Sequence, residues 1–356
     1  MVVTVGIDVH KDTHCAVAID EAGRQIGKDR TFRATDAGHR QLLRWALAEF
    51  SKEIEFAVED CRHVSTRLER SLLKAGQTVI RVPPKLMALT RESARTRGKS
   101  DPIDALNIAR AAVREPNLPR AEHTHVSRNI KLLVDHREDL VHNRTQIQNR
   151  LRWLLHELDP SIDPKPRSLD SMTELDRIHD LLATLTVTPE TKTVIRIALE
   201  QLDDIRQLTL RERALEKELG DLVREQVPQL LGLPGCGVLT AAKLIGETAN
   251  PGRFRSEACF AMHAGVAPIP ASSGRTQRHR LARGGNRQLN AALHRIAVTQ
   301  ARLAGPGRDY YQRRKTEHGD STMEALRVMK RKIARTVYTL LNTPTSSAAA
   351  CQPLAA

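Results

Sequence analysis

The chain has 356 residues, 56 Lys+Arg against 42 Asp+Glu, a net charge of +14 and a pI near 10.0. That length exceeds one ordinary compact domain and predicts two or three units. The charge argues against a cationic partner and for a polyanionic one, nucleic acid first and a membrane surface second. No run approaches the ~18 consecutive apolar residues of a membrane span, and Met-Val-Val-Thr-Val lacks the basic start and apolar middle of a signal peptide. A cytoplasmic protein is expected. The five cysteines, Cys15, Cys61, Cys236, Cys259 and Cys351, are odd in number, far apart and never spaced Cys-x-x-Cys, so reduced thiols are expected rather than disulfides or a zinc site.

In chain order, residues 2–9 and 15–20 are β-branched, apolar runs separated by the polar break His10 to His14, which reads as strand, turn, strand. A third strand is expected after Gly23, a helix over 36–50, a short buried strand over Glu55–Glu59, a helix near 63–75 and a strand over Thr78–Val82, stopped by Pro83 and Pro84. Paired strands followed by alternating strands and helices predict a mixed sheet covered on both faces, an α/β domain over 1–115.

The period then lengthens to that of helices. Leu133, Leu140, Ile147 and Leu154 stand at heptad spacing, as do Leu208, Leu215 and Leu222, so 116–228 reads as a helical coiled-coil stalk. The two helices are expected either to pair antiparallel around the Pro-rich turn at 159–167 or to pair with another subunit. Residues 229–343 read as a mainly α domain rich in Arg and Gly-rich turns, and 344–356 as a disordered tail.

Four acids stand out. Asp8 is the only charge in its strand, and a lone buried acid is costly unless paired or metal-bound. Glu59 ends the other short apolar strand. In Ser100-Asp101-Pro102-Ile103-Asp104 the proline suits a first helical turn, which puts Asp101 and Asp104 on one face. Phosphoryl transfer on two Mg²⁺ ions needs such converging carboxylates. Each acid also has a plainer reading: strand-end turn for Asp8, an ion pair with Arg62 for Glu59, helix capping for Asp101 and Asp104.

The order of Gly-Ile-Asp8-Val-His-Lys, Ala-Val-Glu59-Asp and Lys-Ser-Asp101-Pro-Ile-Asp104-Ala resembles that of the DEDD transposases of insertion sequences. The resemblance implies a RuvC-like, ribonuclease-H-type domain whose four acids bind Mg²⁺. Asp60 adjoins Glu59 as an alternative in that motif.

In the C-terminal half, Leu231 to Ile245 reads as a helix-hairpin-helix whose Gly235 and Gly237 would admit a phosphate, with Lys243 one turn into the second helix as a phosphate contact. A plain tight turn between packed helices fits the same residues. Next come Ser272-Ser273-Gly274 and then Arg275, Arg278, Arg280, Arg283, Gly284, Gly285, Asn286 and Arg287; residues 271–335 carry sixteen Lys or Arg against four acids. Such a run is ordinarily a solvated or nucleic-acid-facing surface. A hydroxyl among guanidiniums is also where a nucleophile attacking a phosphodiester would sit.

This half resembles the same family, whose C-terminal domain carries Ser-Gly after a Pro-rich turn and a later Gly-Asn. The resemblance implies that Ser273, or Ser272 one register away, attacks DNA to form a phosphoserine link. It also implies a composite site completed by the N-terminal acids, in a homo-oligomer (dimer or tetramer) guided by a non-coding RNA and associated with the nucleoid. Rival readings are a metal-only resolvase or nuclease, a non-enzymatic nucleic-acid binder, a sugar-kinase-like phosphate loop at Gly-Ile-Asp-Val-His-Lys, and a tyrosine recombinase using Tyr310 or Tyr311.

Overall fold

The computed structural model describes residues 2–343 except 51–52, 60–63, 85, 88–99, 116–117, 123–124, 272–278, 281 and 283. The described residues divide into two compact units, 2–125 with 248–343, and 126–247.

The first unit begins with strands β1 (Val3–Val9), β2 (Thr13–Ile19) and β3 (Gln25–Arg33). Helix α1 (Asp36–Glu49) follows, then β4 (Ile54–Glu59), α2 (Thr66–Lys74), β5 (Thr78–Val82) and α3 (Asp101–Arg114). The sheet order is β3-β2-β1-β4-β5, with β1 to β3 antiparallel and β4 and β5 parallel to β1. This is the mixed sheet the pattern predicts: tight turns pair the first three strands, while α1 and α2 lie between the strands that run parallel. The strand side chains divide by alternation. Val3, Val5, Ile7, Phe56 and Val58 pack against Leu42 and Trp45 of α1 and Leu68 and Leu72 of α2. Cys15, Val17 and Ile19 face Ala105 and Ala109 of α3 on the other side, where Ala57, Ile80 and Val82 meet Ile108 and Ala112.

The same unit resumes after residue 248. Arg253 donates to the Arg120 carbonyl at 3.4 Å, and the Asn250 amide donates to Glu122 at 2.5 Å. Helix α8 (Glu257–His263) leads to a two-stranded hairpin, β6 (Ile269–Pro270) and β7 (His279–Arg280). Helices α9 (Arg287–Arg302), α10 (Pro306–Thr316) and α11 (Thr322–Asn342) complete it, the last opened by a capping box between Ser321 and Glu324.

The second unit holds α4 (His125–Leu158), α5 (Met172–Thr184), α6 (Thr191–Gln226), a 3₁₀ turn at Pro228–Gly232 and most of α7 (Val238–Thr248). The segment read as helix-hairpin-helix is thus a 3₁₀ turn and one α-helix, joined through Gly235 at φ +84°. Helices α4 and α6 run antiparallel within the chain: Arg137 pairs with Glu212, Arg144 reaches Thr209, and Leu151 and Leu155 join Ala198, Leu202 and Ile205. The buried positions of α4 are Ser127, Ile130, Val134, Leu140, Arg144, Leu151 and Leu155, whereas Leu133, Ile147 and Leu154 of the predicted heptad are half-buried. The seam includes a polar layer in which Glu212 takes both Arg137 and Arg144.

Candidate metal centre

The site forms where β1 and β4 end. Their register runs to Ile7↔Val58, and one step further lie Asp8 and Glu59, on the face that carries α3. Gly6, two residues before Asp8, shares that face and lets the helix close on the strand. A Cβ on Gly6 would meet the Ala105 carbonyl oxygen at 2.1 Å and the Ala109 nitrogen at 2.6 Å. The close approach brings the first turn of α3 to the end of β1. Ser100 is its N-cap, Pro102 sits at the start, and Asp101 and Asp104 occupy the first turn, where the helix dipole favours negative charge.

Asp8 and Asp104 are buried, Glu59 is half-buried and Asp101 is exposed. His10 Nε2 lies 3.1 Å from Asp8 Oδ2 and 3.5 Å from Asp101 Oδ1, and these three donor atoms all lie within 4.8 Å of one another. Burial holds the Asp8 carboxyl above the ordinary carboxylate range. The His10 imidazole pulls it back, and the charges of Asp104 and Asp101 push it up again. A buried carboxylate destabilised by burial and by two acid neighbours is a group whose charge a cation would satisfy. The donor set therefore fits a divalent ion: Asp8, Glu59, Asp101 and Asp104 offer hard oxygen, and His10 offers one nitrogen.

Other chemistry-bearing groups nearby are quiet. Cys15, opposite Asp8 in the register, has its thiol pushed up to about 11, chiefly by burial. His14 and His39 stack beneath the sheet with Nε2 atoms 3.2 Å apart, His39 also bonding Ser71 at 3.0 Å. Burial, helped by its partner, lowers His14 to about 4.

The expected nucleophile region is legible only at its base. Ser272, Ser273, Arg275, Arg278 and Arg283 lie outside the described residues, in or beside the connection between β6 and β7. Arg280 on β7 and Arg287 at the start of α9 are exposed. The base itself is tight: a Cβ on Gly285 would meet Gly265 N at 2.2 Å. Asn286 donates its backbone N–H to His263 and caps α9, and Asn290 bonds the carbonyls of Ala264 and Gly265. Lys243 sits elsewhere, buried in the helical unit with its ammonium on Glu138. Its charge is met internally, so a phosphate would compete with that carboxylate.

A transposase profile of the DEDD type found in IS110 elements matches residues 5–160, and a profile for the IS116/IS110/IS902 transposase family matches 227–312. The chain belongs to the IS110/IS116 family of insertion-sequence transposases. The N-terminal match contains all four acids, and the C-terminal match contains the β6–β7 connection and the Gly-Asn turn. This transposase is 24% identical to the 44.8 kDa protein of insertion element IS116 from Streptomyces clavuligerus, over 92% of both chains. It is 26% identical to the 43.6 kDa protein of IS110 from Streptomyces coelicolor, over 93% of this chain and 92% of that one. A candidate transposase of the IS117 mini-circle of S. coelicolor shares 28% over 90% and 89%. Among the described residues no helix is long and apolar enough to cross a membrane.

Sequence reasoning missed two residues of the site. His10 reads as part of a polar turn, and Gly6 as an ordinary strand residue. The signal available for both was parity, since residues 6 and 8 share a face and His10 is the next residue in that alternation.

Proposed function

We propose that this transposase cuts and rejoins DNA through Ser273, assisted by Mg²⁺ held on Asp8, Glu59, Asp101 and Asp104 in a RuvC-like domain. What supports the reading is the cluster of Asp8, His10 and Asp101, with Asp104 close enough to act on Asp8 and Glu59 ending the neighbouring parallel strand. The hydroxyl attacks the scissile phosphorus, an Oγ–P bond forms, and the bond to the departing deoxyribose oxygen breaks as that oxygen takes a proton. A hydroxyl of the incoming strand then reverses the exchange, restoring the serine. One phosphodiester is traded for another, so no nucleotide cofactor is required. When bound, the metal would stabilise charge on the phosphoryl oxygens. This chain's residues hold it: Asp8 and Glu59 on rigid strand ends, Asp101 and Asp104 on a helix pinned by Gly6.

Arg275, Arg278, Arg280, Arg283 and Arg287 follow the serine segment in sequence and are assigned to DNA phosphates. The basic C-terminal surface supports a second polyanion, a structured guide RNA from the element itself. The family resemblance further supports a dimer or tetramer in which the composite site forms, acting on nucleoid DNA in the cytoplasm. The test is to incubate the protein with element-end DNA and Mg²⁺ and trap covalent protein–DNA adducts under denaturing conditions. An adduct present in the native protein and lost in Ser273→Ala supports the serine. Strand exchange that survives Ser273→Ala overturns it in favour of Ser272 or of metal-only hydrolysis.

A further inference from the structure

His10 takes no part in the chemistry assigned above, yet its imidazole touches two of the four acids. Neighbouring donors on an octahedral ion with bonds of about 2.1 Å stand about 3 Å apart. The contacts of His10 Nε2, 3.1 Å to Asp8 Oδ2 and 3.5 Å to Asp101 Oδ1, have that spacing. The backbone that carries the ring is held in place. The His10 N–H donates to the Thr13 carbonyl at 3.0 Å in the turn joining β1 and β2, so the side chain rises from a fixed point at the end of β1. It is half-exposed, so little of its ring is taken up by packing.

We propose that His10 supplies a nitrogen ligand to the divalent ion of this site, and that the site therefore prefers a transition ion such as Mn²⁺ to Mg²⁺. The inference rests on reading the four acids as a metal centre. Mg²⁺ is a hard ion that gains little from imidazole, whereas affinity for nitrogen donors rises along the first-row divalent ions from Mn²⁺ onward. Without an ion the same imidazole links Asp8 to Asp101 and offsets the repulsion between them. One contact thus serves the empty state and a ligand bond serves the loaded one.

The test is pulsed electron paramagnetic resonance on full-length, untagged protein loaded with Mn²⁺. Native protein is expected to show the coupling of a directly bound ¹⁴N, and His10→Ala and His10→Gln to lack it. Affinity for Mn²⁺ should fall about tenfold or more in both variants, while affinity for Mg²⁺, measured by competition, changes by less than about threefold. Circular dichroism confirms that the variants fold. Bound Mn²⁺ without ¹⁴N coupling, coupling that survives in His10→Ala, or an equal loss of Mn²⁺ and Mg²⁺ affinity overturns the assignment of His10 and leaves the acid site standing. Mn²⁺ bound equally well by Asp8→Asn, or not bound by native protein, overturns both together.

Discussion

Gly6 of β1 and Ala105 of α3 touch backbone to backbone: a methyl at position 6 would stand 2.1 Å from the Ala105 carbonyl oxygen. The contact sets how far Asp104 stands from Asp8, because both acids ride on the two elements it joins. Gly6→Ala is therefore expected to push α3 outward, costing about 1–3 kcal/mol of stability as overpacking does. It should also weaken divalent-ion binding, although residue 6 carries no ligand. Denaturant unfolding and Mn²⁺ titration of the same variant check both effects, and unchanged metal affinity would separate the contact from the site.

Asp8 predicts a gain of stability on losing its charge. Its folded-state pKa lies above the unfolded value of 3.8, so it favours folding below that pH, and the benefit is lost as pH rises through the folded-state value. Near neutrality, without metal, the buried charge is a cost. Asp8→Asn should therefore raise the melting temperature of the metal-free protein, by about 2–4 °C for each kcal/mol recovered. Added Mg²⁺ should raise the melting temperature of the native protein only. Scanning calorimetry with and without metal reads both.

His14 predicts acid sensitivity. Its pKa falls from 6.5 in the unfolded chain to about 4 in the fold, so the unfolded state binds the extra proton between these values and stability drops as pH falls through that window. The full effect is at most about 3 kcal/mol. Replacing the imidazole in His14→Gln should flatten the profile between pH 7 and 4, as followed by urea unfolding at each pH. His39, also lowered by burial, leaves a residual slope.

In the helical unit, Glu212 is the shared counter-ion of Arg137 and Arg144, and all three side chains are largely buried. Glu212→Gln removes the nearest counter-ion of both guanidiniums, leaving Arg137 with Glu216 at 3.5 Å and Arg144 with Asp170 at 3.6 Å, and should cost up to about 3–5 kcal/mol. Glu200, which pairs with Arg196 on the exposed face of the same helix, should tolerate Ala with little change. Equal effects in the two variants would deny the polar layer its role.

Most of the sheet was readable because alternation and β-branching act locally: β5 falls at Thr78–Val82 as expected, and α1 ends within one residue of its predicted bound. The placement of Asp8, the one charge in β1, and of Glu59, the last residue of β4, was readable for the same reason. What escaped depends on partners far along the chain. Lys243 reads as a phosphate contact from its place in the helix, and its burial and its pairing with Glu138, 105 residues earlier, leave no local mark. Arg144 takes a buried place on α4 because Glu212 and Thr209 pair with it, which a leucine heptad does not mark, and of the heptad positions Leu133, Leu140, Ile147 and Leu154, Leu140 alone is fully buried. His10 escaped because β1 ends at Val9, one residue short of it, although the alternation that places Gly6 and Asp8 continues to position 10.

The account stands most directly on whether the acids hold the ion. Calorimetric titration of Mn²⁺ into the native protein and into Asp8→Asn, Glu59→Gln, Asp101→Asn and Asp104→Asn measures this without reference to DNA. Saturable binding in the native protein that weakens about tenfold or more in each variant is the predicted result. Native-like binding in all four would contradict it.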